Sequence, residues 1–386
     1  MTGLRVLGID PGTKSFDICG LENGHVFYEE VLKSSELAKN PELLVETTDK
    51  AMPLDVIAGP SGYGVELTRL RDLNPETLED WYLTYILLLK RKDLENALER
   101  EDPGIMVYSA MTETALKMKQ KNWPVLYLPG VINLPTVPEH RKLNNLDMGT
   151  VDKLCCCLLG IHDQSERLSV PYSDVSFILV EMGHGYNATL GVRKGRIVDG
   201  FGGTMSRMGF FTSGGMDLEL VQIGELWEKS DVFTGGASAV SGESSPKKMI
   251  QKRKDDENCA IAWEAMIENV EKSVASMLVS VPDPREILIS GRLTRISGVE
   301  KELIRRLERF APVRKVGWLK EAKCVKEAAQ GSAIAADGLG GGVFSKLIER
   351  VKLKDAKGTA LDYLHHPKGK RGKKKLKRKV PFKPNH

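Results

Sequence analysis

Residues 8–26 of the chain read GIDPGTKSFDICGLENGHV, and this stretch decides the fold. An apolar run reaches Asp10, turns through Pro-Gly-Thr-Lys, extends again and turns once more at Glu-Asn-Gly. The Asn-Gly pair is typical of a tight hairpin, so we predict strands over about 4–9, 15–21 and 25–31. Taken alone, the first turn is either a phosphate-binding turn or a plain hairpin turn that carries an acid.

A second stretch, residues 175–200, follows the same plan: VSFILVEMGHGYNATLGVRKGRIVDG. A shift of 171 residues aligns the two stretches without a gap. The matched pairs are Gly12 with Gly183, Gly20 with Gly191, Gly24 with Gly195, and Asp10 with Glu181. Because glycine averages about 7% of residues, three glycines and an acid in register indicate an internal repeat. The sequence therefore predicts two domains, each opening with a three-stranded meander.

The remaining elements follow from apolar spacing and turn residues. We predict helices over 76–99, 111–121, 147–162, 257–280, 298–310 and 327–342. We predict further strands over 104–109, 124–131, 286–292 and 313–319, a loop over 201–217 and a surface insertion over 236–256. The 386 residues suit two domains, which we place at 1–165 for the N-terminal lobe and 172–350 for the C-terminal lobe.

The end of the chain has a different composition from the rest. Residues 365–386 hold ten Lys or Arg and no Asp or Glu, so the rest of the chain is mildly acidic although the net charge is +4. This tail has few apolar side chains to bury, and we expect it to be disordered. It is either a contact for nucleic-acid phosphates, independent of base sequence, or a solvated extension.

Composition also excludes some classes of protein. No apolar run approaches the roughly 20 residues of a membrane span, and the N-terminus carries no secretory signal. The six cysteines include no C-x-x-C pair, which argues against a zinc site and for free thiols in a reducing compartment. We therefore expect a cytoplasmic protein without a membrane partner, and a homodimer is compatible with the sequence.

The two glycine turns suit phosphate binding when they are considered together. A turn without side chains lets backbone N–H groups approach a phosphate, and the acid before each turn suits a hydrated Mg²⁺ ion. Two such turns across a cleft would hold the β- and γ-phosphates of ATP from both sides. The ISGR turn at 289–292 would border the adenosine, although the same residues also suit an ordinary strand-to-helix connection.

These motifs carry a family resemblance. The stretches 8-GIDPGTKSFD-17, 178-ILVEMGHGYNATLGV-192 and 287-ILISGR-292 resemble the phosphate-1, phosphate-2 and adenosine elements of the acetate and sugar kinase, heat-shock chaperone and actin superfamily. With DGFGGT (199–204), TSGGMD (212–217), NNLDMGTVDK (144–153) and AAQGSAIAADGLGGG (328–342), the chain resembles an archaeal family described as predicted butyrate kinases. The resemblance covers about residues 4–345 and implies an α/β fold of two ribonuclease-H-like, actin-like ATPase domains with a nucleotide cleft between them.

The resemblance also implies the roles of individual residues. ATP and Mg²⁺ would be the cofactors, with Asp10 and Glu181 on the metal side. Glu181 departs from the superfamily, which usually has Asp there, and the longer side chain shifts where a metal ion or water is held. Contacts to the nucleotide are implied for Gly12, Thr13, Lys14, Gly183, Gly185, Gly202, Gly203, Thr204, Gly291 and Arg292. The catalytic, acceptor-side residues would be Asp147, Asp152, Lys153 and Arg141.

The phosphoryl acceptor is a small molecule that the sequence leaves open. A carboxylic acid is already ionised at pH 7 and needs no base, only cations around it. Candidate cations are His140, Arg141, Lys153 and Arg207. A hydroxyl acceptor would instead need Asp147 or Asp152 as a base. A butyrate kinase-like enzyme that forms an acyl phosphate is the leading interpretation, and a non-catalytic ATP-binding module that acts through protein or RNA partners is the alternative.

Three of these positions also have plainer interpretations. Asp152 and Lys153 suit an ordinary helix N-terminus. His184, inside the phosphate-2 turn, suits a turn residue. The loop GPSGYG at 59–64 is either a substrate loop with Tyr63 against a ligand or a simple connection.

Overall fold

Two β-sheets, each opened by a three-stranded meander, organise the chain. The computed structural model describes residues 3–100, 103–224 and 226–382. The strands of the first sheet are β1 (Arg5–Pro11), β2 (Ser15–Glu22), β3 (His25–Lys33), β4 (Val56–Ala58), β5 (Thr68–Arg69) and β6 (Val125–Tyr127). They lie in the order β3-β2-β1-β4-β6-β5, with β1, β4 and β6 parallel and the other pairs antiparallel.

The second sheet repeats the arrangement with one strand fewer. Its strands are β7 (Phe177–Met182), β8 (Asn187–Arg193), β9 (Arg196–Phe201), β10 (Glu286–Ser290) and β11 (Val313–Lys315). They lie in the order β11-β10-β7-β8-β9, with β7, β10 and β11 parallel. This two-sheet α/β architecture confirms the predicted fold class.

The internal repeat is visible in the strand pairing itself. Gly8 lies opposite Cys19 in the first meander, and Leu179 lies opposite Leu190 in the second, so the same 171-residue shift relates both pairs. Each meander also has a register shift between its second and third strands, at Gly20/Leu21 and at Gly191/Val192. A bulge at equivalent positions is a property of the shared plan, because a bulge sets local twist and strand direction.

Fifteen α-helices in the described residues surround the sheets. They are α1 (Ser34–Leu37), α2 (Glu42–Asp49), α3 (Leu78–Trp81), α4 (Arg91–Glu99), α5 (Pro103–Gln120), α6 (Glu139–Lys142), α7 (Val151–Leu168), α8 (Leu218–Ile223), α9 (Ala237–Ser241), α10 (Pro246–Lys252), α11 (Glu257–Met277), α12 (Ser297–Leu307), α13 (Glu327–Gly340), α14 (Ser345–Val351) and α15 (Pro367–Lys379). Within the described ranges, no helix combines the length and the apolar character that crossing a membrane would require.

Two helices are exchanged between the halves of the chain. Helix α7, from the N-terminal half, packs against β7 and β8, whereas α13, from the C-terminal half, packs against β1, β2 and β4. The two helices also pack against each other, and at Gly331 a Cβ atom would lie only 1.9 Å from the carbonyl oxygen of Cys155. The lobes that we placed at 1–165 and 172–350 therefore each give one helix to the other sheet.

The structure corrects two predicted elements. Residues 104–109 were expected as a strand but lie in α5, whose buried residues recur at helical spacing: Ile105, Ala110, Met111, Ala115 and Met118. A short apolar run does not distinguish a strand from a helix. Here the helical spacing of apolar residues over the whole of α5 decides the structure. The helix expected over 76–99 is divided into α3, a π-helical turn at Tyr82–Ile86 and α4.

The tail over 365–386, which we expect to be disordered, is instead helical over most of its described part. Residues 367–379 form α15, and Lys373 and Lys377 lie 3.1 and 2.6 Å from a carboxylate oxygen of Asp362. The ring of Phe382 stacks on Trp81, with ring centroids 6.1 Å apart. The few apolar side chains of the tail suffice because the first domain offers them an aromatic surface. Residues 383–386 lie outside the described residues.

Candidate active site

A cavity of about 560 Å³ lies between the first turns of the two sheets. This volume is typical of sites for small molecules and cofactors. Most of the residues that the sequence selected line it: Asp10, Gly12, Thr13, Lys14, Asp147, Asp152, Lys153, Glu181, Gly183, Gly185, Gly203, Thr204, Gly291 and Arg292. They reach one cavity because β1 and β7 both end there, each followed by its glycine turn.

The acid of the first turn is paired with a lysine that the sequence did not single out. Lys326 Nζ lies 2.6 Å from Asp10 Oδ2 and 3.3 Å from Asp17 Oδ1, and it donates a hydrogen bond to the carbonyl of Ser15. Lys326 immediately precedes α13, the helix that packs on β1. Burial raises the pKa of Asp10, and Lys326 opposes that shift. The ion pair therefore holds a buried carboxylate at the mouth of the turn.

The acid of the second turn is paired in the same manner. Lys153 Nζ lies 2.8 Å from Glu181 Oε2 and 2.5 Å from Asp152 Oδ2, in the first turn of α7, the helix that packs on β7. Burial raises the pKa of Glu181 to about 7, although Lys153 opposes the rise. Burial also acts against ionised Asp152, but Lys153 and a hydrogen bond from the Thr150 hydroxyl lower the pKa of Asp152.

Together these groups form one cluster of carboxylic acids and ammonium groups. Four carboxylates, of Asp10, Asp17, Asp152 and Glu181, face two ammonium groups, of Lys153 and Lys326. In the described part of the chain, no three His, Cys, Asp or Glu side chains come together as a metal site. A divalent ion there would need phosphate oxygens and water as its other ligands, which is the usual coordination of Mg²⁺ beside a nucleotide. The donor set therefore fits Mg²⁺ bound together with a phosphorylated ligand.

Further cations line the same end of the cavity. Arg292 donates to the Ser15 hydroxyl at 2.8 Å, which links the ISGR turn of the second half to β2 of the first. Burial, with Lys14 and Arg292 nearby, lowers the pKa of His184 to about 4, so this imidazole is neutral at pH 7. The His184 ring lies edge-on to Phe211, with ring centroids 5.1 Å apart. This environment favours the interpretation of His184 as a turn residue.

Asp147 also lines the cavity and is held in part by Thr204, in the loop after β9. Its Oδ1 accepts a hydrogen bond from the Gly149 N–H, and its Oδ2 accepts from the N–H and the hydroxyl of Thr204. A Cβ atom on Gly202 would lie 1.7 Å from Oδ1, so this loop requires glycine for its close approach to Asp147. Gly202 itself is outside the cavity lining, and its position supports Asp147 instead of the predicted nucleotide contact. Burial raises the pKa of Asp147.

Three of the predicted acceptor-side cations lie elsewhere. Arg141 donates to the carbonyl of Val198 at 2.8 Å and lies 3.7 Å from Asp199, and it does not line the cavity. His140 and Arg207 are exposed and also lie outside the lining. The sequence placed Arg141 near the site because it precedes the DMGTVDK loop, but the side chain points along β9.

Part of the cavity is an aromatic chamber that the sequence largely missed. We define the aromatic chamber as Tyr63, Tyr108, Tyr186, Phe233 and Lys229. The ring centroid of Phe233 lies 6.0 Å from that of Tyr108 and 5.8 Å from that of Tyr186. Lys229 Nζ donates to the Tyr63 hydroxyl at 3.2 Å. Of these residues, the sequence singled out only Tyr63, in the GPSGYG loop. Tyr186 lies within the phosphate-2 stretch but was not selected, and Tyr108, Lys229 and Phe233 lie in segments without a recognisable motif.

The paired sheets, exchanged helices and glycine turns form a two-domain α/β fold of the actin-like type, similar to that of solved acetate and propionate kinases. A propionate kinase from Francisella tularensis aligns with a TM-score of 0.57 at 12% identity, covering 86% of this chain and 98% of that one. An acetate kinase from Entamoeba histolytica aligns with a TM-score of 0.54 at 12% identity, covering 79% and 86%. These similarities are to the fold.

The family is established by sequence. The chain belongs to the family described as "Protein of unknown function (DUF1464)", whose model matches residues 8–366. A UPF0285 protein of Methanococcus vannielii is 22% identical over 379 residues, covering 93% of this chain and 98% of the relative. A UPF0285 protein of Methanococcus maripaludis is 22% identical over 298 residues, covering 73% and 82%.

Proposed function

We propose that the protein is an ATP-dependent phosphotransferase that acts on a small molecule. The observation that carries this proposal is the pair of equivalent acid–glycine turns, Asp10 to Gly12 and Glu181 to Gly183, which line one cavity from opposite sheets. Each acid is matched by a lysine at the start of an exchanged helix. A single glycine turn suits many roles, but two related by a repeat suit one ligand with several phosphates.

The mechanism that we propose relies on positioning and charge neutralisation. Lys14, Lys326 and Arg292 lie where they would contact phosphate oxygens, and backbone N–H groups at Gly12 and Gly183 would add further donors. Asp10 and Glu181 would hold Mg²⁺, directly or through water, and the bound ion would neutralise charge on the transferred phosphoryl group. Gly291 would border the adenosine. Contact with both halves would favour closure of the cavity on nucleotide.

We further propose that the acceptor is a short-chain carboxylic acid, as a butyrate kinase-like enzyme would use. A carboxylate oxygen would attack the γ-phosphorus, the bond from that phosphorus to the β,γ-bridging oxygen would break, and ADP would leave. No proton moves in this step, because the acid is already ionised. The solved structures named as acetate and propionate kinases support this choice of acceptor class, as does the apolar part of the cavity.

One experiment tests the reaction directly. The full chain is incubated with MgATP and a panel of acids from acetate to hexanoate, and acyl phosphate is trapped as hydroxamate. We expect hydroxamate to form together with ADP in equal amounts, and only with an acid present. MgATP binding without turnover on any acid would instead support the alternative, an actin-like module that binds ATP and acts through partners.

A second candidate function concerns α15. Seven of its Lys and Arg side chains are exposed: Lys368, Lys370, Arg371, Lys374, Lys375, Arg378 and Lys379. No acid lies between 367 and 382, and Phe382, the aromatic residue of this segment, is packed on Trp81. Exposed charge without an exposed apolar face favours phosphate contacts over base stacking or membrane insertion. We propose that α15 contacts nucleic acid without base specificity.

The salt dependence of binding tests this contact. Fluorescence anisotropy with a labelled 20-nucleotide RNA should give a slope of log K against log salt of about −3 to −5. A variant with the seven exposed cations changed to Gln, leaving Lys373 and Lys377 intact, should lose binding while its thermal midpoint stays within a few degrees of the wild type. Equal binding by both proteins would exclude α15 as the contact. A homodimer and a cytoplasmic location stay predictions.

A further inference from the structure

Lys229 is a half-buried cation that lines the cavity and has no carboxylate in ion-pair contact among the described residues. Its Nζ donates to the Tyr63 hydroxyl and lies 4.8 Å from the centroid of the Tyr63 ring. In the part of the chain that the structure describes, no Asp or Glu oxygen lies within 4.0 Å of Lys229 Nζ. Lys153 and Lys326, the other lysines of the cavity with low exposure, each have two carboxylates within that distance. Removing an ammonium group from water is costly unless an anion or several acceptors compensate it.

The electrostatic surroundings of Lys229 indicate that its positive charge lacks a compensating anion. Burial lowers the pKa of Lys229, and Tyr108, Asp147 and Asp93 oppose this shift only in part, since none of them forms an ion pair with its ammonium group. Asp147 does not compensate it, because both carboxylate oxygens of Asp147 are engaged by Gly149 and Thr204. The Tyr63 hydroxyl is a neutral partner, since burial raises the pKa of Tyr63. A bound anion would supply the missing charge.

The surroundings of Lys229 specify the rest of the ligand. Phe233, one helical turn further along, packs against the rings of Tyr108 and Tyr186. Tyr63, the hydrogen-bond partner of Lys229, also donates its backbone N–H to the carbonyl of Ile86. Ile86 belongs to an apolar wall of the cavity, so Tyr63 connects Lys229 with that wall. That wall consists of Ile86, Leu87, Val107 and Met111. A cation at the edge of an apolar chamber fits an acid with a hydrocarbon chain or ring, and such a chamber is larger than acetate needs.

We infer that Lys229, with the Tyr63 hydroxyl, holds the carboxylate of the acceptor, and that the aromatic chamber and the apolar wall select acids of four or more carbons in total. This inference rests on the proposed function for its reaction, but the binding that it describes does not require ATP. It replaces Arg141, which lies outside the cavity, as the cation that a carboxylate acceptor requires. Lys229 would be both a binding and a specificity-determining residue.

Binding of acids and of their uncharged amides tests the inference. Isothermal titration compares hexanoate, hexanamide and acetate on the full chain, with Lys229→Met, Lys229→Arg and Lys301→Met as variants. Lys301 is an exposed lysine of α12 and serves as the matched control. We expect the wild type and Lys301→Met to bind hexanoate about 10- to 100-fold more tightly than hexanamide. Lys229→Met should abolish this difference, and Lys229→Arg should retain most of it.

Two results would overturn the inference. One is hexanoate binding to Lys229→Met with wild-type affinity, and the other is acetate binding to the wild type as tightly as hexanoate. The thermal midpoint of each variant without ligand shows whether it is folded, and Lys229→Gln, which also removes the charge, provides the test if Lys229→Met is not folded. MgATP is titrated separately. In the wild type, equal binding of hexanoate and hexanamide with MgATP binding intact contradicts the inference alone, whereas preferential hexanoate binding without MgATP binding contradicts the proposed function alone.

Discussion

The two acid turns are equivalent in position but not in their partners. Lys326 contacts Asp10 and Asp17, two acids of the one sheet on which its helix packs. Lys153 contacts Glu181 of the second sheet and also Asp152 of its own helix. The position equivalent to Asp17 is Ala188, which has no carboxylate to offer.

This difference separates the functions of the two turns. The first turn has a closed ion-pair group inside one sheet, which suits a fixed support for phosphate. The second turn shares its lysine with Asp152, in the first turn of α7, and the long side chain of Glu181 reaches that lysine. Under the proposed function, the second turn would therefore connect the nucleotide side of the cavity with the acceptor side.

Removing Lys326 should have the largest effect. Lys326→Met leaves Asp10 and Asp17 buried beside each other without a cation, and breaking such a buried pair costs about 3–5 kcal/mol. We expect a thermal midpoint several degrees below that of the wild type. Combining it with Asp10→Asn should recover part of the loss. A Lys326→Met protein as stable as the wild type would show that the ion pair does not support the first turn.

Asp10→Asn should next affect the dependence of nucleotide affinity on Mg²⁺. The amide keeps the size of the side chain but cannot provide the negative charge that Mg²⁺ requires. We expect ATP affinity with Mg²⁺ to fall at least about tenfold, while affinity in EDTA changes little. Isothermal titration under both conditions provides the measurement. Unchanged affinity in the presence of Mg²⁺ would contradict the role of Asp10.

Glu181 should give the stability of the second turn a pH dependence that extends to about pH 7. The pKa of Glu181 is about 7 in the folded chain and near 4.5 without the fold, so protonation favours folding. This contribution is fully present below about pH 4.5 and is lost as the pH rises through about 7, with an upper bound of about 3 kcal/mol. Against Glu181→Gln, the thermal midpoint of the wild type should therefore decline between pH 5 and pH 8. Parallel pH profiles of the two proteins would exclude this titration.

Arg141→Met should have the smallest effect. Its guanidinium contacts the Val198 carbonyl and lies outside the cavity, so the KM for the acid should change less than about twofold. Lys229→Met, measured in the same assay, is the contrast. A large change in KM for Arg141→Met would return Arg141 to the acceptor site and contradict its position in the structure.

Local patterns explain what the sequence predicted well. The meanders and their turns were predictable because Gly12, Gly183 and the acids before them lie within short stretches, where turn chemistry and strand alternation decide the structure. The 171-residue shift then linked the two stretches, which no single motif achieves. Most of the predicted nucleotide-side residues line the cavity for the same reason.

The missed features depend on contacts between distant segments. Lys326 meets Asp10 only because α13 crosses to the first sheet, and Lys229 reaches Tyr63 from a segment that has no motif. The prediction of a strand at 104–109 was wrong because six residues are too few to show helical spacing. The tail that contains α15 is held on the first domain by stacking of Phe382 on Trp81. Composition alone cannot indicate this contact.

Titration of the wild-type chain with MgATP tests the central claim most directly. If both turns hold one nucleotide, isothermal titration should give one site per chain, and saturating MgATP should raise the thermal midpoint as linkage requires. No heat of binding together with an unchanged thermal midpoint would contradict the two-turn phosphate site.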